Sequence, residues 1–126
     1  IAVTRDYLDV PGTALVVHAD EIKKQPEMIK RFLRATLRAM NFIREDRSDT
    51  TQMITREFAM TSEIASLAYD KLVDLLSVNG KIRVDGYQLL IDFARTAQKI
   101  ERSMSAAQLV DEKLLDEVIR ESGIKR

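Results

Sequence analysis

The sequence lacks most of the residues that usually carry chemistry. Its 126 residues include no cysteine and a single histidine, His18. Disulfides and thiolate metal sites are therefore excluded, and no second imidazole is available to bind a metal with His18. The four glycines are scattered rather than grouped in a phosphate-binding loop: Gly12, Gly80, Gly86 and Gly123. We therefore expect no metal, no cofactor and no enzymatic activity.

The chain also lacks an excess of charge and a long apolar run. Twenty basic residues balance twenty acidic ones, so the formal net charge is zero. This balance argues against nucleic acid as a partner, because a nucleic-acid-binding domain normally carries a strong positive field. No apolar run approaches the roughly 20 residues that span a bilayer. With 45% hydrophobic residues, residues 1–126 are enough for one domain with its own core.

One short apolar segment interrupts a sequence that otherwise has helical spacing. Leu15, Val16 and Val17 lie between a Pro-Gly pair and a helix start, which predicts a buried strand near 13–18. Residues 1–10 have no clear period and are predicted as a loop or a short edge strand. A lone strand cannot satisfy its own backbone hydrogen bonds. We therefore expect the strand's partners in chain outside residues 1–126, which would make this a fragment of a longer protein.

About five or six helices are predicted after the strand. Asp20 can cap a short turn over 21–25, and Pro26 suits the first position of a helix that continues to about Arg44. The later helices have predicted caps at Ser48 or Asp49, at Thr61 or Ser62, at Asp85 with Gln88 completing a capping box, and at Asp111. The predicted ends are Asn79-Gly80 for the fourth helical segment and Gly123 for the last.

Charged groups and methionines have structural interpretations that compete with functional ones. His18 is interpreted as a structural or surface residue. The acidic group on the last helix is interpreted as favourable helix-start charge and a solvated face, and the basic row on the Pro26 helix as a solvated face that an acidic partner could also use. The methionines are predicted to fill the core. These groups are Asp111, Glu112, Asp116 and Glu117; Lys30, Arg31, Arg34 and Arg38; and Met28, Met40, Met53, Met60 and Met104.

A family resemblance emerges from the order and spacing of several motifs rather than from any one of them. The motifs are Val10-Pro-Gly-Thr-Ala-Leu-Val-Val-His-Ala-Asp20, Pro26-Glu27, Ile29-Lys-Arg-Phe-Leu-Arg-Ala-Thr-Leu-Arg-Ala39, Phe42-Ile-Arg-Glu45, Leu109-Val-Asp111 and Leu114-Leu115. With these motifs in this order, the chain resembles the carboxy-terminal half of extracytoplasmic solute-binding proteins of ABC importers, within the group of nitrate, taurine, alkanesulfonate and thiamine-precursor receptors.

The resemblance implies a mainly α chain with one or two short strands, as part of a two-lobed α/β periplasmic-binding-protein-like fold of type II. It implies a receptor that binds a small organic or anionic solute between its lobes and delivers it to a membrane permease. A periplasmic or other extracytoplasmic location follows from the same resemblance. Enzymes that make a thiamine precursor share this fold, but the sequence offers no nucleophile or acid-base group to support catalysis.

Candidate ligand-binding residues lie at the entry to the predicted strand: Tyr7, Asp9, Gly12 and Thr13. Gly12 permits close backbone approach, Thr13 offers a hydroxyl, and Tyr7 offers an aromatic face with a polar end. The alternative interpretation is an autonomous helical interaction or dimerisation module whose strand pairs with another chain. In either case, an uncovered strand and uncovered helix faces predict self-association of this chain.

Overall fold

The computed structural model describes residues 10–123, which form seven helices. Within that range the chain is mainly α-helical, as the sequence predicts, and no helix is long and apolar enough to span a bilayer. One helix more than expected is present, because a short helix follows the fifth. The helices are α1 (Ala19–Lys24), α2 (Pro26–Glu45), α3 (Arg47–Glu57), α4 (Ser62–Leu75), α5 (Val84–Ala97), α6 (Ala106–Leu109) and α7 (Lys113–Ser122).

The predicted strand near 13–18 is not formed. Residues 13–18 belong to no helix or strand, and Val16 is 88% exposed. β-branched residues favour an extended backbone, but a strand exists only when a neighbour accepts and donates its hydrogen bonds. Within residues 10–123 no such neighbour is present. The segment then enters α1, where His18, rather than the predicted Asp20, is the N-cap and accepts a hydrogen bond from the Asp20 N–H.

The core lies between α2 and α7. Leu37 is 3% exposed and packs with Leu115, Val118 and Ile119, while Leu33 and Met40 cover the cluster from the side. The spacing of these residues places them on one side of each helix, so burying them joins the two helices face to face. The sequence analysis is confirmed for the extent of α2, which runs one residue beyond the predicted end, and for the end of α7 at Gly123 in the left-handed conformation. The predicted cap at Asp111 is wrong, because the N-cap of α7 is Glu112.

The helices α3 and α4 form an antiparallel pair beside the C-terminal end of α2. Thr61 caps α4 as predicted, but Asp46, not Ser48 or Asp49, caps α3 through the Asp49 N–H. The hydroxyl of Tyr69 donates to the backbone oxygen of Ile43 at 2.8 Å. This bond satisfies a buried phenol and fixes α4 against the end of α2.

The link from α4 to α5 closes the end of the core. The helix α4 ends at Leu75, before the predicted Asn79-Gly80, and Leu76 is extended. Arg44 of α2 donates to the backbone oxygens of Leu76 and Ser77. Gly80 has a φ of +77°, and a Cβ there would lie 3.1 Å from Leu37 Cδ2. The link therefore depends on a glycine at this position both for its backbone and for its fit against the core.

The helices α5 and α6 form a separate hairpin held by one polar side chain. The Oε1 atom of Gln88 accepts from the Ala106 N–H at 2.7 Å, and its Nε2 donates to the Met104 oxygen at 3.3 Å. The predicted capping box at Asp85 is wrong: α5 begins at Val84 with Arg83 as N-cap and without a side-chain cap. Gln88 lies within reach of the unpaired N–H groups that begin α6. Its side chain therefore bonds to Ala106 and Met104 instead of to the backbone N–H of Asp85, as the capping box would require.

Candidate functional site

The four predicted ligand-binding residues do not form a site in the described structure. Tyr7 and Asp9 lie outside residues 10–123. Gly12 and Thr13 are exposed, and a Cβ at Gly12 would meet nothing within 4 Å. The close backbone approach that motivated the choice of Gly12 is therefore not used by any of residues 10–123. Whether these residues contact a ligand remains a prediction that depends on what covers the segment.

Two depressions in the described surface are open and lined by polar residues. One, with a volume of about 370 Å³, is lined by Glu117, Arg120 and Glu121. A second, of about 190 Å³, is lined by polar residues of α3 and the start of α4. Small-molecule sites are usually concave, largely apolar and able to bury most of the ligand. Neither depression has that character, so the sites worth examining on residues 10–123 are surfaces rather than pockets.

The predicted basic row divides into two pairs with different surroundings. Lys30 Nζ lies 2.5 Å from Glu117 Oε2, and Arg34 NH2 lies 2.6 Å from Glu121 Oε2. These bonds join α2 to α7, so neither this half of the row nor the acidic group on α7 is merely solvated. Arg31 and Arg38 are instead exposed. The sequence showed all four on one broad charged side of α2, but only the position of α7 separates the bound pair from the exposed pair.

Ion pairing shifts the pKa of several of these groups. Hydrogen bonding to Glu117 raises the pKa of the Lys30 ammonium, and hydrogen bonding to Glu121 raises the pKa of the Arg34 guanidinium. Arg34 in turn lowers the pKa of the Glu121 carboxyl. On the other side of α7, Lys81 reaches Asp116 at 2.8 Å and Glu112 at 3.2 Å, which raises the pKa of Lys81. These ion pairs join α2 to α7, and they join the link before α5 to α7.

A second charged cluster links α3 to α4. Arg47 NH2 donates to Asp70 Oδ1 at 2.9 Å and to Ser66 Oγ at 2.7 Å, and its guanidinium carbon lies 5.4 Å from the centre of the Tyr69 ring. This distance permits a cation–π contact. The cluster occupies one edge of α4 and leaves the outer apolar side of that helix uncovered. Among the described residues no group of acidic or histidine side chains has the arrangement of a metal site.

Uncovered apolar surface is the most distinctive feature of the molecule. The total accessible surface is 9886 Å², compared with about 6,800 Å² for a compact monomer of this mass. If the residues outside 10–123 contributed as much as roughly 2,000 Å² of this total, the rest would still exceed by about 1,500 Å² the surface of about 6,300 Å² for a compact monomer with the mass of residues 10–123. A standard interface takes about 800 Å² from each partner. The excess is therefore large enough for at least one interface.

The uncovered apolar residues occur on several elements. Those of α2 are Met28, Phe32 and Phe42; those of α4 are Ile64, Leu67 and Leu75; those of the α5 and α6 hairpin are Val84, Leu89, Phe93 and Leu109. The prediction that the methionines fill the core is wrong for Met28 and Met53, which are exposed. It failed because the apolar arc of these helices is wider than one neighbouring helix covers. In the sequence, the only sign of these exposed faces is that the apolar residues span a wide arc around each helix.

Comparison with known proteins finds no matching family model, no matching curated protein and no matching solved structure. The function is therefore argued from the surfaces themselves and from the resemblance described above.

Proposed function

We propose that this chain is the carboxy-terminal portion of an extracytoplasmic solute-binding protein of an ABC importer. The observation that carries the proposal is the apolar segment 13–18, which lies exposed immediately before α1 and forms no strand within residues 10–123. Such a segment is suited to joining a sheet whose other strands come from elsewhere, with both faces covered by helices. The complete protein would have the two-lobed α/β fold of type II.

The proposed receptor binds a small organic or anionic solute in the cleft between its two lobes. Closure of the lobes around the solute selects and sequesters it, and the closed form delivers it to a membrane permease. No bond is made or broken, so the protein is not an enzyme. The entry to the segment, with Tyr7, Asp9, Gly12 and Thr13, is the part of this chain proposed to face the cleft.

The open, polar depressions described above also support a solute site that is formed jointly by two lobes. A solute site needs convergent polar groups on opposing walls, and residues 10–123 offer one helical layer with uncovered faces. In the proposed receptor the opposing wall belongs to the other lobe.

The test is to place Val16→Lys in the complete reading frame and, as a matched control, in the 126-residue chain alone. In the chain alone Val16 is 88% exposed, so the free energy of unfolding should change by no more than about 0.5 kcal/mol. In the complete receptor Val16 would be buried in a sheet, and the same change should cost at least about 2 kcal/mol. Denaturant unfolding of the four proteins gives both differences. A neutral effect in both backgrounds, or a reading frame with no second α/β lobe, would contradict the proposal.

Ligand binding is tested on the complete protein by thermal unfolding with nitrate, taurine, an alkanesulfonate and the pyrimidine precursor of thiamine as separate probes. A bound ligand raises the midpoint because it binds only the folded state. A rise with one probe that disappears in Tyr7→Ala and Thr13→Ala would support both the function and the proposed residues. A rise unaffected by these variants would support the function and reject the residues.

A second candidate is a helical self-association module, favoured by one specific observation. Two exposed helix faces of this chain, on α2 and α4, have apolar centres and edges of opposite charge. Complementary edges of this kind specify partner and orientation when helices pair.

A further inference from the structure

The outer face of α2 has the spacing of a helix-pairing seam. It consists of Met28, Phe32, Ala35, Ala39 and Phe42, which recur at alternating intervals of four and three residues, and all five are exposed. This 3.5-residue repeat keeps an apolar stripe in contact with a second helix over several turns. Large side chains stand towards both ends and two alanines in the middle. The small alanines allow a partner helix to approach closely at the centre, and the larger side chains can pack against it towards the ends.

One edge of this seam is positively charged. Arg31 and Arg38 lie seven residues apart, each directly before a seam residue, and both are exposed. The only hydrogen bond described for Arg31 runs from its Nε to the backbone oxygen of Glu27, at 3.4 Å. Lys30 and Arg34, by contrast, are bonded to α7. The exposed arginines are thus the ones that a partner on the outer face would meet.

The outer face of α4 offers the opposite arrangement. Ile64, Leu67 and Leu75 are exposed, and Leu67 reaches 69%. Their edge contains Glu63 and Asp70, again seven residues apart and each directly before a seam position. Asp70 is bonded through one oxygen to Arg47, yet its side chain remains 56% exposed. A carboxylate accepts several hydrogen bonds, so Asp70 can receive a second guanidinium.

The two faces match in a single antiparallel register. When Arg31 stands opposite Asp70 of a second copy, Arg38 stands opposite Glu63 of that copy, since both pairs of charges are seven residues apart. Edge positions of this type face each other in antiparallel helix pairs. The same register places Phe32 against Leu67 of the second copy, Ala35 against Ile64 and Met28 against Lys71. Two apolar layers and two pairs of opposite charge therefore share one alignment, and Lys71 meets Met28 with its aliphatic stem.

Pairing of α2 with α2 of another copy is disfavoured by the same reasoning. In an antiparallel pair of identical seams Arg31 would face Arg38 of the other copy, and like charges across an interface are repulsive. The α2 face instead fits a helix with acidic residues on one edge. Within residues 10–123 the exposed face of α4 meets that description.

We propose that this chain self-associates by docking the outer face of α2 against the outer face of α4 of a second copy. Every copy carries one face of each kind, so a two-fold arrangement that forms both contacts at once closes the assembly as a dimer, whereas a single contact repeated from copy to copy would give a ring or a filament. The excess surface of about 1,500 Å² per chain accommodates an interface of standard size. The inference does not rest on the proposed transport function, since it concerns the 126-residue chain and uses faces remote in sequence from segment 13–18.

The test is sedimentation velocity on the 126-residue chain over a wide concentration range, with a charge-reversal exchange. One variant combines Arg31→Glu with Arg38→Glu, and the other combines Glu63→Lys with Asp70→Lys. Each alone places like charges along every contact, so its dimer dissociation constant should rise by about tenfold or more. An equimolar mixture restores opposite charges at both contacts and should dimerise as the unmodified chain does.

Two controls separate the interface from general effects of charge and folding. The variant with Lys23→Glu and Arg102→Glu changes the net charge by the same amount at exposed positions outside both faces, and its dimerisation should be unchanged. Leu67→Glu, at a position that is 69% exposed, should abolish dimerisation while the helical circular dichroism stays as in the unmodified chain. Its thermal midpoint should match that of the unmodified chain at concentrations low enough for both to be monomers. A monomer at all concentrations, a dimer that survives charge reversal and Leu67→Glu, or variants that do not recombine on mixing would overturn the proposal.

Discussion

The pair formed by α2 and α7 and the hairpin formed by α5 and α6 are held together by different interactions. Both join amphipathic helices, but α2 and α7 bury an apolar cluster around Leu37 and add ion pairs at its rim. The hairpin buries only the small residues Gly86 and Ala106, adds two hydrogen bonds from Gln88, and leaves Phe93 72% exposed. The first pair therefore buries large apolar side chains, whereas the hairpin combines small buried residues with hydrogen bonds.

Removing a core side chain should produce the largest difference between the two regions. Leu37→Ala is expected to lower the free energy of unfolding by about 2–5 kcal/mol, because a cavity is left where the side chain is 3% exposed. Phe93→Ala, the matched change in the hairpin, should cost no more than about 0.5 kcal/mol. Urea unfolding followed by circular dichroism measures both. Equal losses would show that the hairpin has an apolar core of its own.

Gly80 tests how the α4 to α5 link closes the core. Gly80→Ala should cost about 1–2 kcal/mol, because φ is positive and the new methyl group would lie 3.1 Å from Leu37 Cδ2. The control is Gly12→Ala, where a Cβ meets nothing within 4 Å. That change should be neutral or slightly stabilising in the same unfolding assay. If the two substitutions behave alike, the link does not depend on a glycine.

We expect Gln88 to stabilise the hairpin of α5 and α6 without affecting the core between α2 and α7. Gln88→Ala removes the acceptor of the Ala106 N–H and the donor to the Met104 oxygen, at a cost of about 1 kcal/mol. Amide hydrogen exchange should speed up in α6 while the amides around Leu37 and Val118 keep their protection. Gln98→Ala, at the exposed C-cap of α5, is the control. Faster exchange throughout the chain would mean that hairpin and core unfold together.

The smallest effect should come from the rim of the α2 and α7 pair. Arg34 lowers the pKa of Glu121, so the folded state binds that proton less readily than the unfolded state. The stabilisation is present above the ordinary glutamate pKa and is lost as pH falls through the lowered value. The thermal midpoint of Glu121→Gln should therefore lie below that of the unmodified chain at neutral pH and converge with it in acid. Glu57→Gln, beside Arg56 at the exposed end of α3, is the control, since it removes the same charge outside the α2 and α7 pair.

The extent of the helices was largely predictable from the chain. The proline at the start of α2, the Thr61 cap and Gly123 at the end of α7 are local signals, and each acts within one turn of the backbone. The predictions failed where a local signal competed with a distant one. The Asp85 capping box gave way to bonds between Gln88 and α6, and α4 ended early where Arg44 binds the backbone that follows it.

The candidate surfaces were less predictable. The apolar spacing of α2 includes both the residues that meet α7 and the residues of the outer face, and nothing within the helix shows which will be covered. The four basic residues of α2 were likewise indistinguishable in the sequence, because only the ion pairs with α7 separate Lys30 and Arg34 from the other two. The proposed ligand residues remain predictions, because Tyr7 and Asp9 lie outside the described range and Gly12 and Thr13 have no neighbour within it that tests them.

The sequence by itself determined that this is a mainly helical protein, where most of its helices begin and end, and that they are amphipathic. Those properties come from interactions between residues up to four positions apart, which the order of residues specifies directly. Only the tertiary structure decided which side of each helix is buried, because that depends on contacts such as Arg34 with Glu121, 87 residues apart. It also decided that segment 13–18 stays unpaired within residues 10–123, since a strand needs a neighbour that local preference cannot supply.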